Sequence, residues 1–370
     1  MHRVQNIGSV LQAYALQYKI RQLGFDSEFI DYVFPPNKKT QFNLKSIASW
    51  CFDAFQGFPD KRRLSKIETF RRDFLCCSNT SYNRESLLAN PPRYDLYCTG
   101  SDQVWNPFHV GDDTSFMMDF APTDAPRFAY ASSFASKGIK EPYFSLYSKY
   151  LSRYIGITVR ENSGAQIVKS MTGKDASVVC DPTLLLKDSE WNYIAEQSSV
   201  TIKGGYILIY LLSYMFNPRP YFYDIVETVR QKLSLPVYHY NPYTADSFKK
   251  HIKSLKGMGP YDFVRLFRDA SFIITDSFHG AVFATIFNRP LIGVVKDEHD
   301  GDGRISTLRS QVDARNSIVC YNKPFSFEKR NMDDFKCNIE KVDSLRQFGT
   351  EKLRDMINEA IRTSNKYAKD

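Results

Sequence analysis

The sharpest candidate for chemistry is a histidine that follows an apolar strand. In TDSFHG, residues 275–280, the strand is predicted to end at Asp276 and a helix to begin close to Gly280, so His279 lies at the junction. Backbone N–H groups at a helix start favour an anion, and an imidazole titrates near neutral pH. His279 is therefore a candidate general acid, general base or phosphate ligand. The alternative is a histidine with a purely structural role.

Two arginines are candidates for anion contacts. Arg160 and Glu161 directly follow an apolar strand in ITVREN. The arginine fork suits a carboxylate or phosphate, and Glu161 either orients it or acts as a base, whereas an exposed structural ion pair is the alternative. Arg304 follows a Gly-rich turn and is the second candidate, with a solvated loop arginine as its alternative.

A further polar segment follows another predicted strand. The strand-like residues 94–98 run straight into Gly100, Ser101 and Asp102. In open α/β sheets the residues just past the carboxyl ends of strands line the ligand crevice. Asp102 is therefore expected to line a ligand crevice.

Other chemical signatures in the sequence are weak. The seven cysteines contain no C-x-x-C pair, and Cys98 and Cys180 lie in apolar runs, so we expect buried thiols rather than disulfides or metal ligands. The acidic residues of 297–302 favour a solvated loop over a divalent cation site. There is no Walker A sequence and no DNA-binding signature. We expect no metal, no cofactor and no nucleic acid partner.

The elements that position these residues alternate between strand and helix. A turn, a helix and a strand open the first half, and the second half contains predicted strands in GYILIYLL, PVYHY, SFIITD and LIGVV with helices over 221–233 and 261–268. This alternation is typical of α/β domains with parallel sheets. The predicted division is a first Rossmann-like domain over 1–195, a second over 196–345, and a C-terminal helix over 346–370 that packs back on the first domain.

Length and charge agree with a two-domain protein that has an anionic partner. The chain has 370 residues, 43% of them hydrophobic, and a net charge of +8. Its longest mainly apolar run, residues 206–215, is shorter than the roughly 20 residues of a membrane-spanning helix. The first residues lack the features of a secretory signal, which predicts a cytoplasmic protein.

Residues 34–75 differ from the rest because basic residues alternate with aromatic ones, and they are interpreted as an insertion in the first domain. Lys38, Lys39 and the KRRLSK run are mixed with aromatic residues such as Trp50 and Phe70. One interpretation is an excursion whose charges are solvated. The other is contact of 38–72 with an anionic membrane surface or a lipid-linked pyrophosphate, which would place the protein at the inner face of the membrane.

Together these segments resemble the polysaccharide pyruvyl transferase family. The resemblance rests on ordered segments along most of the chain: Asn6-Ile7-Gly8 with LQAYAL, GSDQVWN, Arg160-Glu161, DPTLLL, TDSFHG and Arg304-Ile305. It implies a GT-B-like fold, in which two Rossmann-like domains with parallel sheets face each other across a cleft. It also implies transfer of the enolpyruvyl unit of phosphoenolpyruvate to a sugar hydroxyl, ending as a pyruvate ketal on a capsular, exopolysaccharide or cell-wall glycan.

The resemblance also assigns roles to individual residues. It implies chemistry at His279, Glu161 and Asp102, donor contacts from Arg160, Arg304, Ser277, Phe278 and Gly280, and acceptor contacts from Asn6, Gly8, Gln12, Ser101, Gln103 and Trp105. In some relatives an arginine stands two residues before the histidine. Ser277 stands there in this chain, so Arg304 is expected to meet the donor's charge instead.

Two other functions remain open from the sequence. A GT-B glycosyltransferase with a nucleotide-sugar donor would have the same architecture, and a non-catalytic protein that binds envelope glycans would share the cleft. The residues do not identify the acceptor sugar, and the resemblance favours a galactose-type 4,6-diol. If the basic aromatic segment contacts the membrane, the acceptor is expected to be a polyprenyl-pyrophosphate-linked oligosaccharide.

Overall fold

Two parallel sheets, each flanked by helices, organise the chain. A computed structural model describes residues 2–34, 60–213, 216–243, 246–247, 249–297, 303–328 and 330–367. Most of the basic aromatic insertion and most of the acidic loop of 297–302 lie outside the described residues. The predictions for those two segments therefore stay predictions.

The first half contains a four-stranded parallel sheet and a two-stranded parallel pair. Its strands are β1 (Phe29–Tyr32), β2 (Cys77–Tyr82), β3 (Tyr97–Thr99), β4 (Arg127–Ser132), β5 (Gly156–Val159) and β6 (Ser177–Val178). Its helices are α1 (Ile7–Gln22), α2 (Lys61–Phe74), α3 (Arg84–Ala89), α4 (Pro107–Val110), α5 (Tyr143–Leu151), α6 (Asn162–Thr172), α7 (Pro182–Leu185) and α8 (Asp188–Glu196). The sheet has the order β3-β4-β5-β6, and β1 pairs with β2.

The second half is built on a six-stranded parallel sheet of order β12-β11-β10-β7-β8-β9. Its strands are β7 (Ile207–Tyr210), β8 (Val237–Tyr240), β9 (Ile252–Leu255), β10 (Phe272–Thr275), β11 (Leu291–Val295) and β12 (Ile318–Cys320). Its helices are α9 (Tyr221–Leu233), α10 (Pro260–Asp269), α11 (Phe278–Ile286) and α12 (Arg304–Gln311), followed by the C-terminal α13 (Ile339–Tyr367). The strand order reverses between β7 and β10, and ligands of open α/β sheets bind beyond the carboxyl ends of the strands at such a point.

The predicted α/β class with parallel sheets is confirmed. The helix predicted over 221–233 is α9, but three boundaries were wrong. The strand predicted over 177–180 ends at Val178, because Asp181 soon turns the chain into α7. The strand predicted over 94–98 begins only at Tyr97, opposite the first residue of its partner β4. The C-terminal helix α13 begins at Ile339, earlier than the apolar pattern indicated.

Helix α2 is the described end of the basic aromatic insertion, and it packs against both halves. The ring centroid of Phe70 lies 5.8 Å from that of Tyr14 and 5.3 Å from that of Tyr261. Lys66 Nζ lies 2.6 Å from Asp262 Oδ2. Phe70 is thus a core residue that joins the halves and is not available to a membrane. Of the helices in the described parts of the chain, none has the length and apolar character needed to span a membrane.

The C-terminal helix α13 packs against the first sheet. Arg346 Nε donates to the backbone oxygen of Leu184 at 2.9 Å. Gly349 lies so close to the sheet that a Cβ atom there would be 2.7 Å from Tyr130 Oη and 2.8 Å from Cys180 Sγ. Burial raises the pKa of the Cys180 thiol to about 12, so the sulfur that faces Gly349 is uncharged. Helix α13 therefore depends on a glycine at its closest approach.

Replacing Gly349 by alanine should lower the stability of the protein. In an open helix this change stabilises by up to about 1 kcal/mol, but here the new methyl group overpacks a buried contact, which costs about 1–3 kcal/mol. Thermal unfolding of Gly349→Ala should show a lower Tm than the parent protein. Gly138→Ala is the matched control, because a Cβ atom added to Gly138 would have no neighbour within 4 Å. An unchanged or higher Tm for Gly349→Ala would contradict this packing.

Candidate active site

The candidate site lies where loops of the first sheet meet the start of α11. Asp102 follows β3, Arg160 follows β5 and Asp181 follows β6. Carboxyl ends of neighbouring parallel strands share one edge of a sheet, so these three side chains lie together. His279, in the first turn of α11 after β10, reaches them from the second half.

A buried ion pair forms the base of the site. Arg160 is 3% exposed, and its Nη1 donates to Asp181 Oδ2 at 2.7 Å. Its Nη2 lies 3.6 Å from Asp102 Oδ1, which also accepts from the backbone N–H of Gln103 at 2.9 Å. Ser9 Oγ of α1 donates to the other oxygen of Asp102. The loops after β3 and β6 are thereby held by the Arg160 guanidinium, and α1 is linked to it through Asp102.

Both carboxylates are held in their ionised form. Burial alone would raise the pKa of Asp102, but the charge of Arg160, that of His279 in its imidazolium form, and the hydrogen bond from Ser9 outweigh it, and the net pKa is lowered. The same balance of burial against His279 and Arg160 lowers the pKa of Asp181. An ionised carboxylate of low pKa is a weak base, so these two groups are suited to orientation rather than to proton transfer.

His279 packs tightly between the two halves. Its Nε2 lies 3.8 Å from Asp181 Oδ2, which is beyond hydrogen-bond distance. On its other edge Gly8 of α1 approaches so closely that a Cβ there would be 2.1 Å from Nδ1 of the imidazole. A glycine is therefore required at position 8 for this ring position. This contact joins the Asn6-Ile7-Gly8 segment directly to TDSFHG.

The surroundings of His279 favour its neutral form. Burial is the largest effect and lowers the pKa of the imidazole. The carboxylates of Asp181 and Asp102 raise this pKa, while the charges of Arg160 and Arg304 lower it. The net pKa of His279 is below the usual value for histidine. At neutral pH the ring is thus uncharged and can accept a proton. The two nearby carboxylates would stabilise the imidazolium once it forms.

The helix starts at the site are fixed by their cap residues. Asn6 Oδ1 accepts from the N–H of Ser9 at 3.2 Å at the start of α1, and Ser277 Oγ accepts from the N–H of Gly280 at 3.3 Å at the start of α11. A Cβ at Gly280 would lie 2.7 Å from Thr275 Oγ1, so this glycine lets α11 begin directly against β10. The first-turn N–H groups of a helix have no partner within the helix, so those of α1 and α11 are potential donors to an anion.

Both arginines of the predicted donor site lie over the ring of Phe278. The guanidinium carbon of Arg160 lies 4.8 Å from the ring centroid of Phe278, and that of Arg304 lies 5.5 Å from it. Arg304 is the first residue of α12. Arg304 therefore brings a second guanidinium to the same ring, and both arginines remain candidates for meeting the charge of an anion.

Asp276 connects the two loops at the strand-order reversal. Its carboxylate oxygens accept the backbone N–H groups of Leu212 and Ser213, each at 2.7 Å. Burial raises the pKa of Asp276 to about 6 in spite of these hydrogen bonds. The residue therefore ties the loop after β7 to the end of β10, from which His279 projects.

Glu161 does not stand beside Arg160 as an exposed ion pair, and that alternative was wrong because both residues are buried. Glu161 Oε1 accepts from Ser133 Oγ and from the backbone N–H of Phe134, each at 3.0 Å. Arg160 pairs with Asp181 instead. This geometry gives Glu161 a structural task at the start of α6, and its predicted role as acceptor base stays a prediction.

Three predicted acceptor contacts are buried under the site surface. Trp105 is 0% exposed, and its Nε1 donates to the backbone oxygen of Phe116 at 3.2 Å, so the prediction of an acceptor contact was wrong for this residue. Gln12 is 4% exposed and bonds through Nε2 to the backbone oxygen of Ser9 at 2.9 Å. Ser101 Oγ lies 2.8 Å from the oxygen of Ala131 and 3.2 Å from Asp181 Oδ2. Like Gln12, Ser101 is buried and forms hydrogen bonds with residues next to the site.

The sequence interpretation missed Asp181 and Ser9. Asp181 had been interpreted only as part of an Asp-Pro turn, and it does cap α7 by accepting from Thr183 at 3.0 Å. Its second oxygen is the one that binds Arg160. Its position just past β6 matches those of Asp102 and Arg160 past their strands, and this shared position was the available signal.

A separate group of possible metal ligands lies in the first half. Among the described residues, His2, Asp31 and Cys77 bring ligand atoms within 4.8 Å of one another. The oxygens of Asp31 already accept from Arg3 Nε at 2.6 Å and from Ser81 Oγ at 2.5 Å. An arginine beside the carboxylate opposes a cation, so we assign no metal to this group.

The two parallel α/β units and the site between them define a protein of the GT-B-like class. Solved structures with this fold include S. aureus MnaA with UDP (TM-score 0.54, 12% identity, 97% of this chain and 95% of that chain). The UDP-GlcNAc 2-epimerase from Methanocaldococcus jannaschii is similar (TM-score 0.51, 13% identity, 92% and 96%). So is the α,α-trehalose 6-phosphate synthase from Burkholderia multivorans (TM-score 0.50, 9% identity, 96% and 96%). At these identities the likeness concerns the fold alone.

The chain belongs to the polysaccharide pyruvyl transferase family, whose family model matches residues 6–297. The match spans the site segments from Asn6 through TDSFHG and ends before Arg304. None of the curated proteins compared with the sequence matches it. The family predicted from the sequence is confirmed.

The contact between Gly8 and His279 can be tested by stability alone. A methyl group at position 8 must push the imidazole aside, so Gly8→Ala should cost about 1–3 kcal/mol of unfolding free energy. In a His279→Ala background the obstacle is gone, and most of the penalty should disappear. The four proteins are compared by chemical denaturation. Equal penalties in the two backgrounds would contradict the close approach.

Proposed function

We propose that the protein transfers the enolpyruvyl unit of phosphoenolpyruvate to a sugar hydroxyl and closes it to a cyclic pyruvate ketal. The single observation that supports this most strongly is the position of His279. It lies between the halves with 11% of its side chain exposed, has Nε2 3.8 Å from Asp181, and stands in the first turn of α11. A titratable ring at a helix start combines proton transfer with affinity for an anionic donor.

The donor's negative charge is met by the start of α11 and by Arg304 in this proposal. Phosphoenolpyruvate carries a phosphate and a carboxylate, and free N–H groups in the first turn of a nine-residue helix suit one of them. Arg304, stacked on Phe278, suits the other. Arg160 contributes mainly through the field of its buried ion pair. This arrangement accounts for Ser277 at the position where some relatives carry an arginine.

The proposed chemistry needs one proton carrier near the reacting carbons. In the first step the sugar oxygen bonds to C2 of phosphoenolpyruvate, and the hydroxyl proton passes through His279 to the methylene carbon C3. The carbon–carbon double bond thereby becomes a methyl group on a ketal phosphate. In the second step a neighbouring sugar hydroxyl bonds to C2, the bond from C2 to the phosphate oxygen breaks, and the proton leaves with phosphate.

The other polar residues position the histidine in this proposal. Asp181 and Asp102 are ionised and stabilise the transient imidazolium of His279. Arg160 keeps the two carboxylates apart and in place. Glu161 holds the chain around residues 133–135, next to the loop that carries Asp102.

The biological setting is a proposal of the same kind. A glycan precursor of a capsule, exopolysaccharide or cell wall is a suitable acceptor class for a member of this family. The net charge of +8 would favour an acceptor on a pyrophosphate-linked lipid at the inner membrane face. A vesicle-binding assay with and without phosphatidylglycerol examines that location.

Removing the imidazole should abolish transfer. We expect His279→Ala to reduce ketal formation from phosphoenolpyruvate by about 10²–10⁴-fold, because general acid–base catalysis contributes rate factors of that size. Ketal formation is measured by NMR through its new methyl signal, together with phosphate release. His251→Ala is the matched control, because His251 is exposed on the second half. Full activity of His279→Ala would contradict the proposal.

Ligand-induced stabilisation separates the competing donors. A ligand at about 100 times its Kd raises the unfolding free energy by about 2.7 kcal/mol. Phosphoenolpyruvate should raise the Tm of the parent protein, while UDP-sugars should not. Stabilisation by a UDP-sugar alone would favour a glycosyltransferase, and stabilisation by neither donor would favour a glycan-binding protein.

A further inference from the structure

Among the large apolar side chains of the described residues, Phe108 is the most exposed, at 80%. It lies on the short helix α4, six residues after Asp102. Single exposed apolar residues are common on protein surfaces, so the exposure of Phe108 points to a function only together with its place in the fold. The residues around α4 indicate which kind of partner suits this ring.

The main chain holds Phe108 in place. Asn106 Oδ1 accepts the N–H of Phe108 at 3.0 Å, and Pro107 fixes the first residue of the helix. On either side Trp105 and Val110 are buried in the core of the first half. The ring is therefore presented outward from a fixed segment and does not belong to a loose loop.

Helix α4 lies beside the candidate site. The ring of His109 is 5.2 Å from that of Phe108, centroid to centroid. Burial lowers the pKa of His109, and the charges of Asp102, which raises it, and of Arg304, which lowers it, act on the same imidazole. Phe108 is thus carried by a short helix that follows the Asp102 loop in the chain and is next to a residue affected by the charges of the site.

We infer that Phe108 is a stacking platform for the acceptor sugar, against whose ring the apolar C–H face of a pyranose packs. This inference rests on the proposed function. Ligand sites combine aromatic surface with a few polar groups, and a phenyl ring provides rigid contact area with only two side-chain torsions. Phe108 takes the acceptor-contact role that buried Trp105, three residues earlier, does not fill.

The charge near Phe108 argues against a membrane as its partner. Asp112 and Asp113 follow α4 directly, and Asp112 is exposed. Carboxylates beside an apolar side chain oppose contact with an anionic lipid surface. Neutral sugars with many hydroxyl groups tolerate such neighbours, because carboxylate oxygens accept their hydrogen bonds.

The test compares Phe108→Ala with Tyr193→Ala, which removes another exposed aromatic ring, 62% exposed, on α8. Saturation-transfer NMR with methyl galactoside, glucoside and mannoside measures sugar binding, and thermal shift measures phosphoenolpyruvate binding. We expect Phe108→Ala to weaken binding of at least one sugar by about tenfold, the scale of one aromatic contact. Phe108→Trp should restore it, and Tyr193→Ala should leave it unchanged.

Several results would overturn the inference. These are equal sugar binding by the parent protein and Phe108→Ala, absence of binding of all three sugars to the parent protein, or loss of phosphatidylglycerol vesicle binding in Phe108→Ala with sugar binding intact. Because Phe108 is exposed, the Tm of its variant should stay constant, which excludes unfolding as a cause. If the sugar contact is found but phosphoenolpyruvate does not bind, the proposed function fails while the platform stands.

Discussion

The buried ion pair between Arg160 and Asp181 is the interaction on which the rest of the site depends. Its two charges lie 2.7 Å apart and away from water, with Asp102 3.6 Å from the same guanidinium. Removing one partner of such a pair leaves an unpaired buried charge and costs about 3–5 kcal/mol. Intact pairs of this kind contribute little net stability. Its value here is geometric, since it fixes the loops after β3, β5 and β6 relative to one another.

The second half completes the site through close packing. His279 reaches Asp181 only because Gly8 leaves room for its ring. The halves are held at this distance by Lys66 with Asp262 and by the aromatic contacts of α2. A small shift between the halves would separate the imidazole from the carboxylates. The Arg160 and Asp181 side chains are buried from water by this packing, which strengthens the charge interaction between them.

The sequence predicted the elements better than the details of the site. Strand and helix periodicity depend on neighbouring residues, so the alternating pattern and the place of His279 at a helix start were legible. The pairing of Arg160 with Asp181, the burial of Trp105 and the structural task of Glu161 depend on how distant strands lie side by side. No local pattern encodes those contacts. For Asp181 alone a usable signal was present in the sequence, because this residue follows a strand just as Asp102 does.

Spacing also failed to separate residues that line the crevice from those that support it. Within GSDQVWN, Trp105 points into the core, and the exposed ring belongs to Phe108, outside that segment. The direction of a side chain after a strand is set by turn geometry such as the positive φ of 83° at Asp102. That property becomes visible only in the folded chain.

A crystal structure of the protein with phosphoenolpyruvate, in the absence of a sugar, tests the central claim most directly. We predict the donor at the start of α11, with one anionic group beside Arg304 and its methylene carbon facing Nε2 of His279. Arg160 should keep its hydrogen bond to Asp181 in that complex. The proposed arrangement would be contradicted if the donor bound elsewhere, or if Arg160 left Asp181 and formed its hydrogen bonds with the phosphate instead.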